Sequence, residues 1–417
     1  MLKNKPGKIQ RDGVRSNWIL SLLLVAYILS FIDRNVMSLL VGPIRQEFDI
    51  SDFEYSLLHG LAFTMLYILL GLPFGWLADR SERKWIISLG VGFWSIMTCL
   101  CGFAKSFTGL FAARMGVGIG EASLSPAAYS MLSDLYSPGK LPWATSVFAM
   151  GITLGSGLSY LLGGWLLDFY SATHLTEWSV LRGLKPWQLT FISVGIPGFI
   201  VMFLLMAVKE PARVSAIADD NLELVSLSET FAWGREKWQL YLSVALGVSA
   251  MAIAGYGQLI WYPEMLFRTY GVSKSEAGTS LGLIFMLAGT AGTFFGAALA
   301  SFLTRCGYED ANLRTLMYSA LLSLIPASLA PLMESPIAAL SLIGFAVFFH
   351  YMHFGVAVAG VQLATPNRMR AQYTAALLFL SNFFGLAMGG SIVAFLTDFV
   401  FEADAALRYS LALVAAI

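Results

Sequence analysis

The chain has 417 residues, of which 57% are hydrophobic and 12% charged, and its formal net charge is zero. Soluble domains carry about 25% charged residues, so this chain lacks the polar surface that a soluble protein of its size needs. The neutral balance leaves no basic footprint for nucleic acid. With a mean hydropathy of +0.70, the composition favours an integral membrane protein.

Twelve apolar segments follow one another along the chain. A helix of about 20 apolar residues crosses a hydrocarbon core of about 30 Å. The approximate limits of the segments are 17–41, 54–79, 84–104, 107–133, 140–168, 189–208, 238–265, 275–304, 314–333, 336–363, 371–397 and 405–417. We therefore predict an all-α integral membrane protein with twelve transmembrane helices, the last of them incomplete because residues 405–417 are too few to cross.

The longest polar break lies between spans six and seven. It divides the chain into an N-terminal segment at 1–16, a six-helix bundle at 17–208, a linker at 209–237 and a second six-helix bundle at 238–417. Within the linker, the stretch from Leu227 to Trp238 fits an amphipathic surface helix. A Ser-x-x-Glu capping-box pattern begins at Ser51 and again at Ser273, an offset of 222 residues. This weak repeat predicts two pseudo-symmetric bundles with a site between them.

The distribution of Lys and Arg predicts the orientation. If the N-terminus is cytoplasmic, the inside segments hold 17 of these residues and the outside segments 7, while Arg34 and Arg114 lie within the membrane. Cytoplasmic loops carry the excess of Lys and Arg, so we predict that both termini are cytoplasmic. We expect a monomer in the cell inner (plasma) membrane, in contact with membrane lipids.

Span four carries two charges in an apolar helix. Arg114 and Glu121 are seven residues apart, which places them on one helix face two turns apart. A charge at bilayer depth costs at least about 2.5–3.5 kcal/mol, so this face must turn towards protein or water. Gly116, Gly118 and Gly120 allow a neighbouring backbone to approach, and we expect that neighbour to be span one.

The link between spans two and three carries a recognisable motif. It reads Gly75-Trp76-Leu77-Ala78-Asp79-Arg80-Ser81-Glu82-Arg83-Lys84. This resembles the loop Gly-x-Leu-Ala-Asp-Arg-x-Gly-Arg-Lys/Arg of the major facilitator superfamily, with Glu82 in place of the second glycine. The resemblance implies a latch that holds the cytoplasmic side in one conformation, formed by Gly75, Asp79, Arg80, Arg83 and Lys84. The equivalent loop of the second half has lost the Asp-Arg pair.

Further motifs point to one branch of that superfamily. Span four matches the superfamily pattern Arg-x-x-x-Gly-x-Gly-x-Ala from Arg114 to Ala122. With Asp33-Arg34 in span one and the glycine-rich run 155–164 in span five, it is similar to the Spinster branch, which is associated in eukaryotes with export of sphingosine phosphate and lysophospholipids. In that run, Gly155 and Gly157 are predicted helix-packing positions. The anion:cation symporter branch also carries Asp-Arg in span one and Gly-x-x-Glu-Ala in span four, so both branches stay open.

The buried charges predict how transport is driven. Asp33 and Glu121 are the predicted proton carriers, because a buried carboxylate resists ionisation unless a cation is close. Arg114 is predicted to pair alternately with them or with an anionic headgroup, to which its planar fork is suited. Arg34 points about 100° away from Asp33 on the helix and is predicted to bind substrate through a different contact. The alternative is a fixed ionic network that only holds the first bundle together.

The spans of the second half contain almost no charge. Tyr256, Gln258 and Tyr262 in span seven and Asn382 in span eleven are predicted to line a substrate cavity with apolar walls and a few polar groups. For Tyr262 the alternative is an aromatic residue at the membrane interface. His350 and His353 are one turn apart in span ten, and two ligands do not make a metal site. We therefore predict no metal and interpret them as packing or hydrogen-bonding residues.

The sequence contains no nucleophile elbow, zinc motif or phosphate-binding loop. We therefore predict that the chain is not an enzyme. The predicted function is secondary active transport by alternating access, driven by a proton gradient without a cofactor, of an amphipathic, lipid-like anion. The alternatives are a proton-coupled symporter of a small organic anion and an uncoupled lipid scramblase.

Overall fold

The computed structural model describes residues 13–137, 140–173, 183–211, 213, 227–366 and 369–416. These residues form α-helices joined by short links, with no strand among them. Residues 1–12 of the predicted N-terminal segment and residues 212 and 214–226 of the predicted linker lie outside the described part. The side chain of Asp79, a predicted latch residue, also lies outside it.

The described part of the first half contains ten α-helices. They are α1 Val14–Asn35, α2 Val41–Phe48, α3 Asp52–His59, α4 Leu61–Arg80, α5 Arg83–Cys101, α6 Phe107–Glu121, α7 Leu124–Leu135, α8 Leu141–Ala149, α9 Gly151–Ala172 and α10 Pro186–Ala207. A 3-10 turn at Val36–Leu39 extends α1. Spans two, four and five therefore each consist of two helices in series, α3–α4, α6–α7 and α8–α9.

The second half follows a short helix, α11, in the linker. Its helices are α11 Leu227–Glu236, α12 Trp238–Tyr270, α13 Lys274–Ile284, α14 Thr290–Arg305, α15 Ala311–Leu329, α16 Pro336–Tyr351, α17 Val356–Ala364, α18 Arg370–Asn382, α19 Gly389–Phe395 and α20 Leu407–Ala416. π-helical segments at Phe285–Gly289 and Phe383–Met388 interrupt spans eight and eleven. Such segments are frequent at functional sites.

The predicted membrane fold is confirmed. Ten helical segments of the described chain are long and apolar enough to cross a membrane. Span four becomes the eleventh when α6 and α7 are joined across the break at Ala122 and Ser123, and α20 begins the twelfth. Large apolar side chains are exposed around the outside of the bundle, among them Leu72 and Ile200, as expected for a surface that faces lipid.

Both predicted capping boxes are confirmed. The Ser51 hydroxyl accepts from the backbone N–H of Glu54 at 3.1 Å, and the Glu54 carboxylate accepts from the N–H of Ser51 at 2.9 Å. Ser273 and Glu276 form the same pair of hydrogen bonds, at 3.2 and 3.1 Å. Spans two and eight therefore begin in the same way, as the internal repeat predicts.

The two halves are joined on one side of the molecule. We call the side that carries the link between spans one and two the Arg45 face, and the opposite side the Arg83 face. At the Arg45 face, Arg268 makes a bidentate pair with Asp52 at 2.6 and 2.8 Å, and Arg45 contacts Asp52 and Asp404 at 3.0 and 3.2 Å. Carboxylate oxygens of Asp52, Asp398 and Asp404 lie within 4.8 Å of one another, but arginines already neutralise this cluster.

Close backbone packing between the two halves continues from the Arg45 face into the interior of the molecule. Spans five and eight meet along what we call the glycine seam, formed by Gly157, Gly164, Gly278 and Gly282. A Cβ added at Gly278 would lie 2.4 Å from the carbonyl oxygen of Tyr160, and one at Gly157 would lie 2.7 Å from that of Gly282. Only glycine permits such contacts, so the seam closes the Arg45 side tightly.

The Arg83 side is open between the halves. Helices α8 and α14, the parts of spans five and eight nearest this face, pack mainly against helices of their own halves in the described structure. A cavity of about 560 Å³ lies between spans five, eight and ten, and it is lined by residues including Met150, Thr153, Phe294 and Tyr351. The molecule is therefore closed at the Arg45 face and open at the Arg83 face.

Candidate functional site

The structure brings the intramembrane charges of spans one and four together in the first half. Asp33, Arg34, Arg114 and Glu121 are all buried, with at most 4% of each residue exposed. Span three contributes Thr98, whose hydroxyl donates to Asp33 Oδ2 at 3.2 Å. Four charged groups thus share one region from which both lipid and bulk water are excluded.

The central contact is an ion pair between Arg34 and Glu121. Arg34 Nη2 donates to Glu121 Oε2 at 2.6 Å, and the Ser30 hydroxyl donates to the same oxygen at 2.6 Å. The Arg34 guanidinium also lies over the rings of Phe31, Phe63 and Tyr67, at 4.7, 4.4 and 5.2 Å from their centroids. Aromatic faces stabilise a desolvated cation, so this arginine is held by one carboxylate and three rings.

Arg114 takes a different place from the one predicted. Its guanidinium donates to the backbone carbonyls of Asp33 and Arg34, at 3.3 and 3.5 Å. The ion pair with Glu121 is made by Arg34 instead, and the prediction that Arg34 binds substrate stays a prediction. The long Arg34 side chain runs back one turn to reach Glu121 beside Ser30, a path that helical spacing alone does not reveal.

The cluster is not fully paired. Asp33 Oδ1, Glu121 Oε1, Arg34 Nε and Arg114 Nε are buried and have no hydrogen-bond partner. Buried polar atoms without partners are costly. Each acid therefore has one free oxygen and each arginine one free N–H group for a further partner.

The glycines of span four do not approach span one, contrary to our expectation. A Cβ at Gly118 would lie 2.3 Å from the carbonyl oxygen of Phe63 in span two, and Cβ atoms at Gly116 and Gly120 would meet Met97 and Trp94 of span three. Span one is approached by span five, where a Cβ at Gly155 would lie 2.8 Å from the Ile28 carbonyl oxygen. The second predicted packing position of span five, Gly157, lies in the glycine seam.

The predicted substrate residues of the second half fall into two groups. Tyr256 is half-buried, and its side chain interacts electrostatically with Arg34 across the boundary between the halves. Asn382 is half-buried at the end of α18. Gln258 and Tyr262 are buried at 7% and 0% exposure. The structure therefore brings Tyr256, but not Tyr262, to the charged cluster.

Sequence reasoning missed further aromatic residues around Arg34. Tyr67 of span two lies over its guanidinium, and Tyr27 of span one stacks on Phe148 of span five with 4.4 Å between ring centroids. Tyr27, Tyr67 and Tyr256 all interact with Arg34 or with one another. Their position inside apolar spans could have identified these tyrosines from the sequence, because a buried tyrosine hydroxyl needs a polar partner.

The predicted latch residues make contacts within the first half. Arg83 is buried and donates to Asp134, at 2.5 Å, and to Glu210, at 2.8 Å. Arg80 is exposed and stacks on Trp76, while Lys84 lies 3.8 Å from Glu82. Gly75 faces Pro126 of span four. The described latch contacts thus tie the ends of spans two, three, four and six together at the open face.

Comparisons with known proteins agree with this architecture. Residues 23–390 match the model of the Major Facilitator Superfamily. Protein spinster of Drosophila melanogaster is 28% identical over 308 residues, which cover 72% of this chain and 48% of that protein. The chain therefore spans about half the length of that relative. An MFS-type efflux pump of Mycolicibacterium smegmatis is 26% identical over 412 residues, covering 97% of this chain and 91% of the pump.

A solved structure agrees over nearly the whole chain. The crystal structure of a bacterial homolog to the human lysosomal transporter Spinster, in its inward-facing and unoccupied conformation, matches with a TM-score of 0.81 and 28% identity, covering 97% of this chain and 92% of that one. The chain is a multi-pass membrane protein that belongs to the Major Facilitator Superfamily, and it is similar to Spinster proteins.

Proposed function

We propose that the chain is a proton-coupled secondary active transporter of an amphipathic, lipid-like anion. The observation that carries this proposal is the buried Arg34–Glu121 pair, at 2.6 Å, beside Asp33 and at the boundary with Tyr256 of the second half. The single chain is the proposed transporting unit, with the proton gradient as its energy source and no cofactor.

Arg34 is the proposed binding group for the substrate anion. Its guanidinium has one acidic partner and a free Nε, so it can accept a second anion. A planar fork binds carboxylate or phosphate through paired, charge-assisted hydrogen bonds. An anion bound there competes with Glu121 for Arg34. Arg114 donates to the backbone carbonyls of Asp33 and Arg34 in span one, so it is a proposed positioning residue for Arg34.

Glu121 and Asp33 are the proposed proton carriers. A carboxylate that loses its arginine in a buried setting favours the protonated form. Arrival of the substrate anion at Arg34 would therefore be accompanied by proton uptake at Glu121. The free oxygens Glu121 Oε1 and Asp33 Oδ1 can each receive a proton without breaking an existing hydrogen bond.

The lining of the cavity on the open side supports the proposal that part of the substrate is apolar. The cavity between spans five, eight and ten combines apolar side chains such as Met150 and Phe294 with hydroxyls such as Thr153. Ligand sites of this kind bury apolar surface and fix orientation with a few polar groups. An acyl or alkyl chain fits this lining better than a small, fully hydroxylated anion does.

Uptake into proteoliposomes tests the proposal. We expect an imposed proton gradient to drive uptake of fluorescent lysophosphatidic acid by the wild type, and Arg34→Ala, Asp33→Asn and Glu121→Gln each to abolish this drive. Asp310→Asn is the matched control, because it removes a carboxylate from an exposed pair with Arg314 far from the cluster. Competition by sugar acids but not by lysolipids would favour the small-anion alternative, and equilibration without any dependence on the gradient would favour a scramblase.

In the proposed orientation, the protein lies in the inner membrane and its Arg83 face is exposed to the cytoplasm. Cys306 is exposed in the link between spans eight and nine, at the Arg83 face, whereas Cys101 is buried. A membrane-impermeant maleimide is expected to label Cys306 only after the cells are permeabilised, with Cys306→Ser as the control. Labelling of intact cells would contradict the orientation.

A further inference from the structure

Span ten is interrupted in its interior. Helix α16 ends at Tyr351 and α17 begins at Val356, and between them Gly355 has a φ of 84°, in the left-handed region that favours glycine. After the interruption, the carbonyls of the last turn of α16 accept from the backbone N–H groups of Met352, His353 and Phe354, at 3.3, 3.4 and 3.1 Å. Span four, the counterpart of span ten in the first half, is interrupted directly after Glu121.

Two side chains complete the hydrogen bonding at the end of α16. The Ser319 hydroxyl donates to the carbonyls of Phe349 and His350, at 2.6 and 3.1 Å. His353 Nδ1 lies 2.5 Å from the same His350 carbonyl oxygen. Because a carbonyl can only accept, Nδ1 carries the proton in this hydrogen bond. Nε2 of His353 is therefore the nitrogen that can bind a further proton.

The two imidazoles lie at the C-terminal end of α16. The C-terminal end of a helix is the negative end of its dipole and stabilises a nearby cation. The rings of His350 and His353 lie edge to face, with centroids 4.9 Å apart. His350 is half-buried, and its neighbour Tyr351 lines the 560 Å³ cavity. The pair thus lies beside the open side of the molecule.

Uncharged groups surround the pair. From span seven, Gly255 lies against His350, where a Cβ would be 2.5 Å from Nε2. Span nine contributes Ser319, and span ten itself contributes Tyr351 and Phe354. Within the described part of the chain, no acidic, Lys or Arg side chain on these spans or on spans eight and eleven interacts with either ring. A proton here would therefore give the second half a positive charge with no acidic partner.

We propose that His350 and His353 form a second proton-binding site, which takes up a proton when an anionic substrate enters the cavity. This inference rests on the proposed function, since the substrate anion supplies the negative charge that the second half lacks. Tyr256 follows Gly255 directly and interacts with both Arg34 and Tyr351, so an anion at Arg34 lies near the pair. The step forms one N–H bond on an imidazole nitrogen and breaks one O–H bond of a hydronium ion, which leaves a water molecule.

The ring resonances of the histidines test the site directly. The chain has four histidines, so ring-labelled full-length protein in detergent gives few signals, and single His→Asn variants assign them. The probes are oleoyl-lysophosphatidic acid and a sugar acid. At about pH 6, we expect the His350 or His353 resonance to move towards its imidazolium position when a probe is added. If neither resonance moves with either probe, the inference is overturned.

Transport assays distinguish this site from the proposed function. His353→Asn keeps an amide donor for the His350 carbonyl but cannot titrate, whereas Ser319→Ala removes the other donor and leaves both imidazoles. We expect the pH profile of uptake to lose its step near neutral pH in His353→Asn and in His350→Asn, and to keep that step in Ser319→Ala.

Three outcomes would argue against one or both proposals. An unchanged profile in both histidine variants, with uptake abolished by Glu121→Gln, overturns the histidine site alone. Loss of the step in Ser319→Ala as well assigns the histidines a structural role and also overturns the site. Proton-driven uptake that survives Glu121→Gln overturns the proposed function, and the histidine resonances then decide the second site independently.

Discussion

Arg34 is held by contacts that differ in how easily they can be exchanged. The three aromatic rings are fixed parts of spans one and two, whereas the Glu121 carboxylate can be neutralised by a proton or displaced by another anion. Breaking a buried pair by removing one partner costs about 3–5 kcal/mol because the other charge stays buried. The pair is therefore stable when intact and sensitive to the charge of either member.

The first prediction concerns Glu121. Glu121→Gln leaves Arg34 without its anion but keeps a hydrogen-bond acceptor, so we expect the free energy of unfolding to fall by about 3 kcal/mol, the lower end of the range for broken buried pairs. Thermal unfolding in detergent measures this. Ser30→Ala, which removes the other donor to Glu121 Oε2 and no charge, should cost only about 1 kcal/mol. If both variants lost the same free energy of unfolding, the charge of Glu121 would not contribute to stability.

The same residues show which features of the site can be predicted from the sequence. Hydropathy reveals that Asp33, Arg34, Arg114 and Glu121 must be buried, because charges are expensive in lipid. Their pairing depends on how each helix is rotated and on the path of long side chains, which spacing does not fix. Asp33 turns towards Thr98 of span three, and Glu121 is paired in this structure by Arg34 and not by Arg114.

At the scale of helices, glycines set how closely neighbouring spans can lie. The sequence predicts close packing at Gly116, Gly118 and Gly120, but the partners are spans two and three. Which neighbour a small residue faces depends on the arrangement of the whole bundle. The number of spans and the capping boxes, by contrast, follow from local patterns of hydropathy and hydrogen bonding.

The second prediction follows from one such contact. In Gly118→Ala the added Cβ would lie 2.3 Å from a backbone oxygen of span two, so the helices must move apart, at a cost of about 1–3 kcal/mol. Gly71→Ala is the matched control in span two, because no atom lies within 4 Å of its added Cβ. There we expect a gain of up to about 1 kcal/mol from helix propensity. Similar melting temperatures for the two variants would contradict the packing argument.

Across the whole molecule, the Arg45 face is where the two halves are held together by charge. Asp52 begins span two behind its capping box and is fully buried, while Arg268 ends span seven. The pairs of Arg45 with Asp404 and of Arg268 with Asp52 could not be predicted from the sequence, because their members lie 359 and 216 residues apart along the chain. The proposed alternating access requires this network to break when the Arg45 face opens.

The third prediction tests that requirement. Asp52→Asn removes the charge that binds both Arg45 and Arg268, and we expect the population with an open Arg45 face to rise by about tenfold, equivalent to about 1.4 kcal/mol. Spin labels at Gln46 and Ala405, which line the pocket at this face, report the separation of the halves. Asp310→Asn, an exposed pair within one half, should leave the distance unchanged. An unaltered distance distribution in Asp52→Asn would refute the prediction.

The fourth prediction concerns pH at the same face. Burial raises the pKa of Asp404, but the hydrogen bond from Arg45 and the charges of Arg268 and Arg45 outweigh this and hold the pKa below 3.8. A carboxylate with a lowered pKa stabilises the paired state at neutral pH and loses this contribution only as the pH falls through that lowered pKa. Asp404→Asn should therefore shift the spin-label distances equally at about pH 5 and pH 8. A shift that appears only at the higher pH would disprove this.

The glycine seam has a consequence for how the protein can evolve. A Cβ added at Gly157 or at Gly282 would lie 2.7 Å from the carbonyl oxygen of the other residue, so any enlargement of these residues obstructs the closed state. The aromatic and hydroxyl side chains around the 560 Å³ cavity carry no such restriction. In the proposed function, substrate preference can therefore change through substitutions in the cavity lining while the glycine seam is kept. A library randomised at Met150, Thr153 and Phe294 should be a productive starting point for new specificities, and one randomised along the seam should yield few active variants.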